Sequence, residues 1–186
     1  MTDQLDKNLT VIILAGGKSS RMGQDKGLMF YDGQPMIQYV IEIAEQLTKN
    51  ILIVSNNDDY NQFNYPVLPD IIQDKGPLAG VVTGLESSIT DLNLILTCDA
   101  PFITVAFLSW LKTKIEQFDV VIPQYENRIY PLTGYYKRKT FAVLKAELDQ
   151  NNLRIKSAIE SLNVQFVDAD HFNQQNFRNI NAVEDL

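Results

Sequence analysis

Two short stretches hold most of the side chains that could do chemistry. The first, LAGGKSSRMGQDK from Leu14 to Lys26, gathers Gly16, Gly17 and Gly23 with the cations Lys18, Arg21 and Lys26 and the hydroxyls Ser19 and Ser20. Glycines let a backbone turn freely and approach a ligand closely. Amides exposed in this way cradle phosphate oxygens, and arginine and lysine add charge-assisted donors. A strand-to-helix turn with solvated bases would use the same residue types, so glycine content alone leaves both readings open. The second stretch, CDAPF from Cys98 to Phe102, sets Asp99 directly after an apolar run. A hard carboxylate there can bind Mg²⁺, which commonly takes one or two protein carboxylates with water and phosphate oxygens; the plainer alternative is an aspartate approaching a helix before Pro101. Between the two lies Asp70, followed by GPLAG from Gly76 to Gly80. That acid could position a ligand or reach an ion through water, or simply belong to a surface turn after Pro69.

Other chemistries find little support. His171 is the only histidine and sits in a polar stretch, so a histidine-dependent triad would have to be built around it alone. Cys98 is the only cysteine, which excludes an intrachain disulfide and leaves a cysteine-based zinc site unsupported. With no evident basic partner, its thiol reads as a small buried hydrophobe. The net charge of −7, from 23 acids and 16 bases, gives no global basic field for nucleic acid. No apolar run approaches the roughly 20 residues that cross a bilayer. Met1–Asn8 is polar and acidic, unlike a signal peptide, so the expected location is the cytoplasm.

The elements that must position these residues follow from periodicity. Leu9–Leu14, Ile51–Val54 and Leu92–Thr97 read as buried strands, with Tyr65–Leu68 a short one and Gln165–Val167 a weaker one. Val120–Pro123 and Ile129–Tyr136 also read as strands. Pro35–Leu47 has helical spacing of Ile37, Val40, Ile41, Ala44 and Leu47, and Leu78–Leu85 is introduced by Gly76 and Pro77. Thr104 could cap a helix running to about Gln117. Arg138–Leu148 and Lys156–Ser161 complete the helices. Apolar strands alternating with helices predict one three-layer α/β/α Rossmann-like domain with a mainly parallel central sheet. Ligands of such sheets sit beyond the carboxyl ends of the strands, where the residues after Leu14 and after Leu96 should lie.

The glycine loop lacks GxxxxGK[ST] and GxGxxG. Its order of glycines, serines, arginine and terminal lysine resembles the signature of sugar-nucleotide and molybdenum-cofactor nucleotidyltransferases. Leu-Ala-Gly-Gly, where sugar and cytidylyl members usually carry Leu-Ala-Ala-Gly, and the trailing Asp25-Lys26 are similar to the molybdenum cofactor guanylyltransferase family. Asp70 with Gly76–Gly80, Cys98–Phe102 and Asn179-Ile180-Asn181 match that family's further blocks in order.

The resemblance implies a nucleotide-diphospho-sugar transferase type of domain, with a nucleotide-binding part over about residues 8–103 and an acceptor-binding part over about 104–186. It implies GTP and molybdopterin as substrates, Mg²⁺ on Asp99, and GMP transfer to the terminal phosphate of molybdopterin with release of pyrophosphate. It assigns the nucleotide to Leu14, Ala15, Gly16, Gly17, Lys26, Ser55, Asp70, Gly80 and Asp99, charge stabilisation to Arg21 and Lys26, and the acceptor to Arg21, Asn179 and Asn181. Asn179 and Asn181 lie in a stretch of strand-like alternation. Ser55 stands where relatives often have asparagine, and the adjacent Asn56 is a substitute. Arg154 aligns with a basic cluster of relatives, and Tyr130–Tyr136 with a proline-containing strand beside the acceptor, though its tyrosines equally suit a core. Molybdopterin-synthesis or molybdoenzyme-maturation proteins would be partners. A transferase using CTP or a sugar phosphate, and a non-catalytic nucleotide-binding module, are the competing readings.

Overall fold

The computed structural model describes residues 5–16 and 25–180. The first strand, β1 (Leu9–Leu14), is buried along its whole length, as expected of a run that must be apolar on both faces. A hairpin of β2 (Phe30–Tyr31) and β3 (Gln34–Pro35) leads into α1 (Met36–Leu47). Then follow β4 (Asn50–Val54), a 3₁₀ turn over Asp58–Phe63, β5 (Val67–Leu68), α2 (Pro77–Ser87) and β6 (Leu92–Thr97). The second half holds α3 (Val105–Lys112), β7 (Val120–Tyr125), β8 (Arg128–Ile129), β9 (Gly134–Lys137), α4 (Phe141–Asp149), α5 (Ile155–Ala158) and β10 (Val164–Asp168).

Among the described residues, the strands order as β10-β7-β9-β6-β1-β4-β5, with β8 on β7. Pairing is parallel except around β9, which is antiparallel to both β6 and β7, and β8, antiparallel to β7. Alternation along β1 divides the core. Leu9, Val11 and Ile13 pack with α1 and α3, while Ile12 and Leu14 pack with α2 and, further along the sheet, with α4 and α5. The result is the predicted three-layer α/β/α sandwich. None of the described helices is long and apolar enough to cross a membrane.

Three expectations need correction. The helix capped by Thr104, whose hydroxyl accepts from the Phe107 amide at 3.3 Å, ends at Lys112 and not near Gln117. There Thr113, Lys114 and Ile115 bond to the carbonyls three residues back, and this tighter winding ends the α-helix. The single strand expected over Ile129–Tyr136 is interrupted. Pro131 cannot donate to a ladder, and a turn closed by Thr133 N to Tyr130 O at 3.0 Å separates β8 from β9. Asn179 lies in no strand. Tyr135 and Tyr136 within β9 are fully buried, which settles them as core residues.

Candidate active site

The register of β1 decides where its chemistry emerges. Leu14 pairs with Thr97 of β6 on one side and Val54 of β4 on the other, so all three strands end level. Ala15 N to Val54 O at 2.9 Å and Cys98 N to Leu14 O at 3.0 Å carry the alignment one residue further. The residues that follow, Gly16, Ser55 and Asp99, therefore leave one edge of the sheet together. They border a cleft of about 700 Å³ that is also lined by Lys26, Asp70, Gly80 and Asn179.

The cleft is floored by Leu14 and Ala15, which are 9% and 5% exposed. Its far wall is the start of α2. Gly76 takes φ +70° and ψ −166°, a conformation that is essentially glycine's alone, and Pro77 supplies the first helical residue. The N-terminal end of α2, with its partial positive charge, thus borders the cleft. One turn on, Gly80 packs against β1 so closely that a Cβ there would sit 3.1 Å from Leu14 Cδ2.

Asp70 follows β5 and is locked to Asn56. The Asn56 side chain donates to Asp70 Oδ2 at 2.9 Å and accepts from the Asp70 amide at 3.0 Å. Burial pushes the Asp70 carboxyl above the usual range, and the Asn56 hydrogen bond pulls it partly back. Ser55 is 5% exposed and its hydroxyl accepts from the Asn57 amide at 3.1 Å, so it shapes the loop. Of the neighbouring pair, Asn56 is the one that engages Asp70.

Asp99 is half-buried at the end of β6. The Asn179 side chain donates to its Oδ1 at 3.2 Å, and its carbonyl accepts from the Ile180 amide at 2.9 Å. An asparagine assigned by resemblance to the acceptor therefore touches the carboxylate assigned to the metal, 80 residues away in sequence. Burial pushes the adjacent Cys98 thiol up to about 12, with the Asp99 carboxylate adding to the effect and a hydrogen bond from the Gly16 amide opposing it.

Gly17, Arg21 and Asn181 lie outside the described residues, as do Lys18, Ser19, Ser20 and Gly23. Arg154 precedes α5 and does not line the cleft. Sequence reading missed Asp25, Asn57 and Tyr60. Asp25 accepts from Tyr60 Oη, from Gly27 N at 3.2 Å and from Asn57 Nδ2 at 3.3 Å. The only advance signal was that Asp25 stands beside Lys26 in the glycine-loop motif.

An open, mainly parallel sheet with Gly16, a lysine, a strand-end carboxylate and a helix N-terminus around one cleft defines the class: a nucleotidyltransferase domain. The chain belongs, more closely, to the MobA-like NTP transferase family, whose profile matches residues 11–166. It is 32% identical over 181 residues to a probable molybdenum cofactor guanylyltransferase of Flavobacterium johnsoniae, covering 97% of this chain and 95% of that protein. A relative of the same name from Carboxydothermus hydrogenoformans is 36% identical over 142 residues, 76% of this chain and 72% of its own. Among solved structures, molybdopterin-guanine dinucleotide biosynthesis protein A from Archaeoglobus fulgidus matches with a TM-score of 0.81. That match covers 95% of this chain and 94% of the other at 22% identity, a likeness of fold.

Proposed function

We propose that this protein is a Mg²⁺-dependent molybdenum cofactor guanylyltransferase, which transfers GMP from GTP to the terminal phosphate of molybdopterin and releases pyrophosphate. The names of its relatives, one of them matched over nearly the full length of both chains, support the reaction. The observation that carries it to this chain is the meeting of Asp99, Lys26, Asp70 and the start of α2 on one cleft.

The nucleophile is a phosphate, anionic near neutral pH, so no strong general base is required. The difficulty is bringing two polyanions together, and the chain meets it by positioning and charge. Lys26 stabilises charge moving toward pyrophosphate, and Arg21 joins it on the acceptor side. Gly16 and Gly17 give the triphosphate a close approach. Leu14, Ala15 and Gly80 face the base with main chain, and Asp70, steadied by Asn56, accepts from the nucleotide. Ser55 contributes by shaping the loop, and Asn179 and Asn181 hold the acceptor beside Asp99.

The donor set fits Mg²⁺. Among the described residues no group of three or more His, Cys, Asp or Glu could cage a metal. Mg²⁺ needs no such cage where phosphates and water complete its shell. Asp99 would hold it, one oxygen being steadied by Asn179. When bound, the ion neutralises phosphate charge and orients the leaving group. On this reading residues up to about 103 serve the nucleotide and those from about 104 the acceptor, and the enzyme works in the cytoplasm, where proteins that make molybdopterin or mature molybdoenzymes are its partners.

The test is pyrophosphate release with GTP, CTP, ATP and UTP, each with and without molybdopterin and Mg²⁺. Release confined to GTP with both additions supports the proposal. Release with CTP keeps the chemistry and overturns the base assignment; release with a sugar phosphate as acceptor overturns the acceptor.

A further inference from the structure

Lys26 reaches the cleft from a 3₁₀ turn of only three residues, Lys26–Leu28. So short an element cannot fix a long side chain by itself, because a lysine that is held in place gives up much of its rotamer freedom. What fixes the turn lies underneath. Asp25 caps it, accepting from Gly27 N at 3.2 Å. The same carboxylate accepts from Tyr60 Oη on one oxygen and from Asn57 Nδ2 at 3.3 Å on the other. Tyr60 is fully buried, and burial keeps its hydroxyl protonated and so a donor. Gly27 lies flat on this group: a Cβ there would come within 2.4 Å of Tyr60 Oη and 2.9 Å of Cys98 Sγ. The turn that carries Lys26 is thereby pressed onto Cys98, whose chain neighbour is Asp99.

We propose that Asp25, held by Tyr60 and Asn57, is a positioning residue that sets Lys26 relative to Asp99. Two oppositely charged groups that must meet one triphosphate come from chain positions 26 and 99, and the Asp25–Tyr60–Cys98 contact is one described link between them, beside the packing of Met29 on Ile180. Tyr60 is beneath the cleft and does not line it, so it acts through the groups it touches, Asp25 and Cys98. Three donors also satisfy the Asp25 carboxylate, which softens its repulsion of a phosphate. Asp25 does line the cleft, so service as a second metal ligand is the alternative that the experiment must separate.

This inference rests on the guanylyltransferase reading, and the wild-type assay tests that reading first. GTP affinity of the Mg²⁺-loaded protein, measured by calorimetry, is read beside turnover. Tyr60→Phe keeps the buried ring and removes one hydroxyl. The expected result is a fall in kcat of about 10-fold, the scale of one hydrogen bond to a charged group. GTP affinity and the Mg²⁺ concentration for half-maximal activity should stay near wild type. In Lys26→Ala, adding Tyr60→Phe should cost little more, since two residues acting as a unit are non-additive. Independent, multiplying losses, or an unchanged kcat in Tyr60→Phe, would overturn the proposal. So would a raised Mg²⁺ requirement in Asp25→Asn, which would make Asp25 a ligand. If the wild type shows no turnover with any nucleotide, the reading of function fails. The positioning claim is then judged by calorimetry alone, where a loss of GTP affinity caused by Tyr60→Phe in the Lys26→Ala background would overturn it, because Tyr60 would then act on something other than Lys26.

Discussion

Asp99 and Lys26 are placed so that losing either should be felt in the reaction more than in the fold, because both are only half-buried and border the cleft. Asp99→Ala and Lys26→Ala should each lower kcat/KM by at least 10- to 100-fold, on the order of 1.5–3 kcal/mol for one charged contact. Thermal denaturation midpoints should stay close to wild type, and EDTA should abolish wild-type turnover. Cys98 gives a second prediction at this scale. Its thiol, ordinarily at 9.0, is raised to about 12 by burial. A raised value stabilises the folded chain below pH 9, and that contribution is lost as pH climbs from 9 toward 12. In that interval the unfolded chain releases the proton and the folded one keeps it. The slope is at most about 1.4 kcal/mol per pH unit. Urea titrations between pH 8 and 10 should show this decline, and Cys98→Ala should flatten it. Above pH 10 the buried Tyr60, Tyr135 and Tyr136, all shifted upward, add to the loss. Iodoacetamide should leave native Cys98 unmodified at pH 8 and label it in urea.

Between residue and fold, the helix that carries the cleft wall depends on a steric detail. Gly84 of α2 sits on β1 so that a Cβ would meet Ile12 Cγ2 at 2.3 Å. Ile12 is β-branched and stiff, so it cannot turn aside. Gly84→Ala therefore sets about 1–3 kcal/mol of overpacking against about 1 kcal/mol gained in helix propensity. Crowding wins, and the melting temperature should fall. Ile12→Ala is destabilising by itself, yet the double variant should cost less than the sum of the two, because the added methyl fills the space vacated. Strand and helix interiors were legible in the sequence where apolar spacing was strong, as in Leu9–Leu14 and Leu92–Thr97, which match β1 and β6 residue for residue. Ends were less so. Nothing local marks Lys112 as the last residue of α3, and the β2–β3 hairpin is too short to leave a pattern.

For the whole molecule, the order β10-β7-β9-β6-β1-β4-β5 joins both halves of the chain in one sheet. The antiparallel β9 separates β6, from the first half, from β7, and places Tyr135 in one core layer and Tyr136 in the other. A fragment ending at Ile103 would leave β6 with a bare apolar edge and both layers incomplete. Such a fragment should show no cooperative thermal transition by circular dichroism and no GTP binding by calorimetry, although every residue assigned above to the nucleotide is within it. Restored cooperative folding on adding residues 104–180 in trans would agree with this.

The sequence by itself determined the class of chemistry, because phosphate handling needs residue types that few other tasks use together: Gly16 and Gly17, a lysine, and a carboxylate after a buried strand. It also determined the layered fold, since alternating apolar strands and amphipathic helices have few ways to bury their faces. Tertiary structure alone decided which groups touch. Asn179 lies on Asp99, Asn56 rather than Ser55 holds Asp70, and Tyr60 holds Asp25. Each of these pairs spans 14 to 80 residues of chain. Their meeting depends on strand register and on which strand ends lie side by side, and periodicity along the chain carries no record of either.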